Sequence, residues 1–309
     1  AGLHTFAVGD YSYANGNRSY AVGSGSYAGG LNASAIGDYS FAIGEGSLAS
    51  GYASYSLGII TSAIGQESFA AGSGTLASGD RSHAEGRLCV AVGAFAHAEG
   101  FQTSAMGNNS HTEGRQTRAD GANSHAEGAG AYANTYCHAE GDTTSAYLTA
   151  DHAEGSRTVA SAGGAHAEGS GTSAFGTLSH AEGYGTKTNG WYSHTEGATT
   201  YATGVASHAE GAATSAIKNG SHAEGQMTIT DTEYQHVEGN FNAPATGAIH
   251  VIGNGTAASA RSNIVETYSG HVVVNGPIVS TNLPVPPTAN GTYTLKVTVT
   301  GGVYTYSWN

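Results

Sequence analysis

Residues 82–114 read SHAEGRLCVAVGAFAHAEGFQTSAMGNNSHTEG, and this stretch decides the fold. It consists of seven-residue units with the pattern x-x-[ST]-x-A-x-G, whose positions are numbered here from one to seven, so that Gly is position seven. Gly recurs at every seventh position from Gly2 to Gly128, 19 times in succession. Self-similarity at a short, fixed period predicts a repeat architecture in which each coil contacts its neighbours.

Within each unit, small residues at positions three, five and seven alternate with larger ones at positions four and six. A period of two indicates a β-strand with the two sets on opposite faces. We expect five strand residues and two turn residues, twice over, to form one 14-residue coil of a flattened parallel β-roll. Gly should end each strand with a positive φ, where the chain turns. About 18 coils at about 4.8 Å each predict an all-β rod about 85 Å long.

The units pair, because His-Ala-Glu-Gly or a close variant recurs on alternate heptads from His83 to His236. The spacing is 14 residues except between His125 and His138, where it is 13, so one residue has been lost near residues 134–136. Since His and Glu occupy positions four and six, both should lie on one outer face. We name the following set the His–Glu column: His83, Glu85, His97, Glu99, His111, Glu113, His125, Glu127, His138, Glu140, His152, Glu154, His166, Glu168, His180, Glu182, His194, Glu196, His208, Glu210, His222, Glu224, His236 and Glu238.

Composition excludes several classes of protein. The chain has 309 residues with 48 Gly and only 11% charged side chains, which argues against a conventional packed-core enzyme. The 23 acidic residues exceed the 10 basic ones, and 12 of the acids are column Glu, so nearly all of the net charge of -13 belongs to one feature. Without a Lys/Arg cluster, nucleic acid and anionic membrane surfaces are poor partners. The sequence contains no run of 18 apolar residues, so it gives no indication of membrane insertion.

The heptads resemble a known family. Residues 40–44 (SFAIG) and 61–65 (TSAIG) resemble the head repeats of YadA-type trimeric adhesins. Residues 124–128 and 207–211 (both SHAEG) look like the related repeats of phage and prophage tail appendages. The resemblance covers about residues 1–253. It implies a left-handed parallel β-roll, a homotrimeric rod, and attachment to a surface. We expect a host cell-surface receptor, with carbohydrate as a candidate because an exposed aromatic pair, Trp191 and Tyr192, is of the type that stacks on sugar rings.

An oligomer is also expected from the residues themselves. The interior of the predicted roll holds only Ser, Thr, Ala and Gly, which bury little apolar surface. Large apolar side chains point outward and need a covering partner. These outward residues are Phe6, Val8, Phe41, Ile43, Leu57, Ile64 and Phe69.

Residues 254–309 lack the period and are predicted to form a β-rich tip or trimer-closing region. Short β runs lie at residues 264–266 and 271–274, a Pro-rich rigid connector at 283–287, and a hairpin at 292–300 and 303–308. Neither a four-strand membrane anchor nor a coiled-coil stalk is recognisable. This departure from the bacterial family favours a fibre of a virion tail, with a bacterial trimeric surface adhesin as the alternative.

The environment of the His–Glu column has two interpretations. Because the column is far more uniform than the facing strand, we expect it at the subunit interface, with solvent exposure as the alternative. Buried Glu must then be paired, which predicts raised pKa values for the His and lowered ones for the Glu, and greatest stability in mildly acidic to neutral solution.

Three symmetry-related His could instead coordinate an axial metal. His–Glu pairing explains the spacing without an ion, so we predict no metal and no cofactor.

The remaining signals are weaker. Ser82 and His83 should point to opposite faces, which excludes a catalytic pair, so no enzyme is predicted. Cys89 and Cys137 are expected to be buried free thiols, since about 3.4 coils separate them, too far for a disulfide. Trp191 and Tyr192 form a candidate receptor contact in a turn, although packing against a neighbouring chain is the simpler explanation.

Further candidates for receptor contact are weaker still. They are Tyr184, Tyr201, Arg118 and Lys187. Ice binding is disfavoured, because Thr occupies an inward position of the repeat.

Overall fold

The computed structural model describes residues 3–275 and the strands Leu295–Thr300 and Val303–Trp308. In these parts the chain is all-β and contains no helix. It winds as a parallel β-solenoid of about 18 coils with 14-residue spacing, as the repeat predicted. Within the same residues, no helix is long and apolar enough to cross a membrane.

One face of the solenoid carries the His–Glu column and is named the His sheet. Its strands begin at position four of alternate heptads. They are Tyr13–Asn17, Tyr27–Leu31, Phe41–Glu45, Tyr55–Ile59, Phe69–Ser73, His83–Arg87, His97–Phe101, His111–Arg115, His125–Ala129, His138–Asp142, His152–Ser156, His166–Ser170, His180–Tyr184, His194–Thr195, His208–Ala209, His222–Ala223, His236–Asn240 and His250–Asn254.

The other face is named the opposite sheet and has 16 strands of two residues each. They are Phe6–Ala7, Tyr20–Ala21, Ser34–Ala35, Leu48–Ala49, Ser62–Ala63, Leu76–Ala77, Val90–Ala91, Ser104–Ala105, Arg118–Ala119, Tyr132–Ala133, Ser145–Ala146, Val159–Ala160, Ser173–Ala174, Lys187–Thr188, Tyr201–Ala202 and Ser215–Ala216. The prediction of five strand residues in every heptad was therefore wrong for this face, where the chain turns directly after position five.

Each strand pairs in parallel with the equivalent strand of the next coil, so identical positions lie one above the other. His83 pairs with His97, and Val90 pairs with Ser104. The register survives the 13-residue coil, where His125 still pairs with His138. The residue is lost from the turn at Asn134, whose side-chain amide donates to the carbonyl of Tyr147 at 2.9 Å.

The interior is a stack of Ala with Ser and Thr, as predicted. Ala84, Ala91 and their equivalents in most coils are fully buried. The Ser82 hydroxyl donates to the carbonyl of Gly79 at 2.6 Å, so a hydroxyl inside a dry core acquires a partner within its own turn. The same bond, to the Gly three residues earlier, recurs at Ser54, Ser68, Ser110, Ser124, Ser193 and Ser207.

Close backbone approach requires Gly in both sheets, and the His sheet adds a second requirement. Gly86, inside a His-sheet strand, has φ +112°, a conformation that side chains rarely adopt, and a Cβ there would lie 2.2 Å from the carbonyl oxygen of Gly100. Gly93, in a turn of the opposite sheet, lacks a positive φ, but a Cβ there would lie 1.9 Å from the carbonyl oxygen of Gly107. The expectation of a positive φ at every repeat Gly was wrong. Position two carries it in the turns instead, as at Leu88 with φ 58°.

A different turn replaces Gly where Leu148 and Ala162 occupy position seven of neighbouring coils. Asp151 is buried there, 1% exposed, at a position that holds Ser or Thr in most heptads. Its carboxylate accepts from the backbone N–H groups of Leu148 at 2.8 Å, Ala162 at 3.2 Å and Ala165 at 2.9 Å. The carboxylate therefore ties the turns of two coils together, a role that the repeat pattern did not reveal.

The parallel coils end at His250–Asn254, the strand at which the period was predicted to stop. Asn263–Thr267 pairs antiparallel with this strand, and Val272–Val274 pairs antiparallel in turn. Leu295–Thr300 and Val303–Trp308 form the predicted antiparallel pair. The predicted connector at residues 283–287 lies outside the described residues.

Candidate functional site: the His–Glu column

The His side chains form one continuous ladder of stacked rings. His152 and His166 stack with 4.6 Å between centroids and 1° between planes, and neighbouring rings from His83 to His236 are 4.6–4.9 Å apart. The predicted spacing of about 4.8 Å is confirmed. Phe69 packs on His83 with 4.7 Å between centroids and 39° between planes, so an aromatic ring of the preceding coil adjoins the ladder.

The ladder extends one residue beyond the predicted column. His250 packs on His236 with 5.1 Å between centroids and 33° between planes, and its Nε2 lies 3.2 Å from Oε1 of Glu238. The spacing of 14 residues from His236 and the following Gly253 were the available signals. They were overlooked because residues 250–253 read HVIG and lack the Glu.

Contacts between His and Glu are close at the two ends and loose between them. His83 Nε2 lies 3.2 Å from Glu85 Oε2, within hydrogen-bond distance. In His152 the corresponding distance to Glu154 is 4.0 Å, beyond any hydrogen bond. The His and Glu side chains therefore do not pair uniformly one to one along the column.

The partner of each His also changes along the rod. Up to His180, the nearest carboxylate is that of the same coil, 3.6 Å away in Glu182. From His208 onward it belongs to the preceding coil, as in the 3.8 Å contact with Glu196. The change coincides with the short strands His194–Thr195, His208–Ala209 and His222–Ala223, where ladder pairing is interrupted after the His.

Most of the ring nitrogens that face the Glu have no partner. In the described residues, Nε2 is buried without a hydrogen bond in His97, His125, His138, His152, His166, His180, His194, His208 and His222. Such a nitrogen is costly to bury as a charged group, because no acceptor compensates the lost hydration.

The pKa values of the His follow from this environment and contradict the prediction. Burial, followed by repulsion between neighbouring imidazoles, lowers the pKa of His97, His125, His152, His166, His180, His208 and His222. The prediction of raised values was wrong for these seven residues because burial, and then the neighbouring rings of the stack, outweigh the attraction of the carboxylates. Both effects favour the neutral form of these seven imidazoles.

Three successive carboxyl groups interact with one another where the strands are short. Hydrogen bonding with Glu196 and Glu224 raises the pKa of Glu210 to about 7. The same bonds to Glu210 lower the pKa of Glu196 and of Glu224. The Glu pKa is therefore lowered, as predicted, in Glu196 and Glu224, and raised, against the prediction, in Glu210. Three adjacent carboxylates cannot all ionise without repulsion.

An open groove runs beside this segment. It is lined by Glu182, Glu196, Glu210, Glu224 and Glu238 and by the Gly that follows each of them. In a single chain the column is half-exposed, and His222 and Glu210 retain side-chain exposures of 33% and 29%. The placement of the column at a subunit interface stays a prediction.

The other sequence candidates are also located. Ser82 faces the core while His83 lies on the outer face, so the two residues do not meet, as predicted. Cys89 and Cys137 are buried free thiols, as predicted. Cys137 Sγ donates to the carbonyl of Leu148 at 2.8 Å, and burial raises the pKa of this thiol.

The candidate receptor contacts lie on the surface. Trp191 and Tyr192 are each 60% exposed in one turn, with a φ of 58° at Tyr192. Among the weaker candidates, Arg118 forms an ion pair with Asp120, and Lys187 lies 5.1 Å from the ring centre of Phe175. Tyr184 and Tyr201 are 66% and 41% exposed.

Neither protein-family models nor curated proteins give a match to this chain.

Proposed function

We propose that the chain is a structural segment of a trimeric fibre of a phage or prophage tail, which attaches the particle to a host cell surface. The observation that carries the proposal is an uncovered apolar column on a rod-like solenoid. At position six of the opposite sheet it comprises Val8, Val22, Ile36, Ile64, Val92 and Met106, with exposures between 37% and 71%, and it is interrupted by Ser50 and Ser78.

A chain with such a column gains stability when a partner covers it. In a closed three-fold ring every subunit contacts its neighbours through two different patches. The opposite sheet carries the apolar column. The His sheet carries aromatic rings from Tyr13 to Phe69 at the same level and the His–Glu column farther along. These two faces can serve as the two patches. The count of three and a left-handed winding come from the resemblance of the heptads.

The oligomer is tested by analytical ultracentrifugation. We expect a species of three times the chain mass of 30.9 kDa. Ile64→Asp places a charge on the apolar column and should shift the protein toward monomer, whereas Asn109→Asp in an exposed turn should not. A wild-type monomer, or equal behaviour of the two variants, would contradict the proposed interface.

The biological setting is tested by electron microscopy of native particles labelled with an antibody against residues 82–253. Label along tail appendages of virions supports the fibre. Label on bacterial cells instead supports the alternative, a trimeric surface adhesin. Substituting Trp191 and Tyr192 by Ala should weaken adsorption if this exposed pair contacts the receptor and leave it unchanged if the pair does not.

A further inference from the structure

Five groups of three side chains in the His–Glu column have the ligand set of a metal site. In each, two successive His and the Glu of the first coil bring one nitrogen or oxygen atom apiece within 4.8 Å of one another. The groups are His152/Glu154/His166, His166/Glu168/His180, His180/Glu182/His194, His208/Glu210/His222 and His222/Glu224/His236.

Four of the five groups contain no His–Glu hydrogen bond, and the fifth contains one, between His236 Nε2 and Glu224 Oε1 at 3.2 Å. His83 and His250, which hydrogen-bond a Glu at the same distance, belong to no group. In the groups, Nε2 of His152, His166, His180, His194, His208 and His222 is buried without a hydrogen bond, as it also is in His97, His125 and His138 outside them. A neutral imidazole nitrogen without a hydrogen bond can offer its lone pair to a metal ion, and the groups are the places where two such rings and a carboxylate come together.

We propose that the His–Glu column binds divalent transition-metal ions of the Zn²⁺ class, each held by Nε2 of two successive His and a carboxylate oxygen of one Glu. Two imidazoles and one carboxylate are a common donor set for Zn²⁺, with further positions left to water or another chain. Mg²⁺ and Ca²⁺ prefer oxygen donors throughout and fit the set poorly. The site differs from an axial ion held by three chains, because one chain supplies all three ligands.

An open groove gives an ion access to part of the column. It is lined by Glu182 and by the Glu of the following coils up to Glu238, so it adjoins the last three groups from the side of the carboxylates.

The overlap of the groups limits the number of ions. His166 belongs to the first two groups, His180 to the second and third, and His222 to the last two. If each nitrogen binds one ion, the five groups can hold at most three ions at once. Ions therefore do not occupy every coil, which avoids the charge accumulation expected of a fully loaded ladder.

Binding requires a local contraction. Donor atoms around a tetrahedral Zn²⁺ with bonds of about 2.0–2.1 Å lie about 3.4 Å apart, which is closer than the 4.8 Å limit within each group. The stacked rings must tilt toward each other in pairs, and the half-exposed Glu must rotate. Such paired tilting also favours alternate occupancy along the ladder.

The test uses the full chain without an affinity tag, stripped with EDTA and equilibrated with ZnCl₂ or with MgCl₂. Bound metal per chain is measured by mass spectrometry after gel filtration, and Co²⁺ replaces Zn²⁺ for absorption spectroscopy. The triple variant His166→Gln/His180→Gln/His222→Gln removes a ligand from all five groups. The matched control, His83→Gln/His97→Gln/His111→Gln, makes the same changes in the same ladder outside every group.

We expect the wild type and the control to retain more than one and up to three Zn²⁺ per chain, with visible Co²⁺ bands of a tetrahedral site and no retained Mg²⁺. The triple variant should retain none, with an unchanged circular dichroism spectrum as the check on folding. Less than one Zn²⁺ per wild-type chain overturns the proposal, and so does equal retention by the two variants. The count per chain is independent of the oligomer, so this result and that of the fibre proposal can be told apart.

Discussion

Nε2 of His222 lies 3.5 Å from Oε1 of Glu210, a carboxyl group of the preceding coil. Burial lowers the pKa of His222, and hydrogen bonding to two neighbouring Glu raises that of Glu210 to about 7. Both shifts favour the uncharged form. Near neutral pH the two residues are therefore in contact without being a full ion pair.

These shifts predict how stability depends on pH in the metal-free protein. The unfolded His has a pKa of about 6.5, and seven column His have lower values when folded. Around and below pH 6.5 the unfolded chain thus binds more protons than the folded chain. Stability is therefore lost as pH falls from about 6.5 through the lower pKa values of the folded state. The lowered pKa of Glu196 and Glu224 adds to this loss at lower pH.

The raised pKa of Glu210 acts in the opposite direction, since its contribution is present below the unfolded value and is lost as pH rises through about 7. One carboxyl opposes seven imidazoles. We expect the melting temperature in EDTA, followed by circular dichroism at constant ionic strength, to rise from pH 5 to pH 7. A flat or falling curve would contradict the assigned shifts.

Gly93→Ala should be strongly destabilising. Its Cβ would lie 1.9 Å from a backbone oxygen of the next coil, and a backbone atom of a stacked coil cannot move aside alone. We expect a loss of about 3 kcal/mol in the free energy of unfolding, measured with urea. Gly163→Ala is the control, because φ is +67° there but nothing lies within 4 Å, so the cost should be about 1 kcal/mol.

Asp151→Ala should cost about 3 kcal/mol, because three buried backbone N–H groups lose a charged acceptor. Asp142→Ala is the matched control, since Asp142 is exposed and accepts only from the Thr143 hydroxyl at 3.3 Å. Urea unfolding of both variants decides the point. Similar losses would show that the turn does not depend on the carboxylate.

Both Cys should resist a thiol reagent in the folded protein. Cys89 Sγ donates to the carbonyl of Gly100 at 3.1 Å inside the core, and Cys137 is buried with a raised pKa. We expect two thiols per chain to react with Ellman's reagent in denaturant and none without it. Fast labelling under native conditions would mean that the coils around Cys89 or Cys137 open readily in the folded protein.

Much of the column was predictable from spacing. In a parallel ladder a 14-residue period places like residues above one another, so the stacking of His83 on His97 needed no coordinates. The pKa directions were not predictable, because they depend on how far each ring sits from a carboxylate compared with its two ring neighbours. Each His changes its partner from the Glu of its own coil, as in His180–Glu182, to the Glu of the preceding coil, as in His208–Glu196. This change has no counterpart in the sequence, which reads H-x-E-G throughout the column.

By itself the sequence determined the parallel coil, the inward Ala, Ser and Thr, the buried thiols and the single outer face of His and Glu, since all of these follow from a period of two within a period of seven. Only the tertiary structure decided which Gly need a positive φ in addition to close backbone approach, because both kinds occupy position seven. It also decided that Asp151 joins two turns and that imidazole nitrogens in the middle of the ladder are left without partners. These features depend on differences of a few tenths of an ångström in the distances between atoms of neighbouring coils, which no repeat pattern encodes.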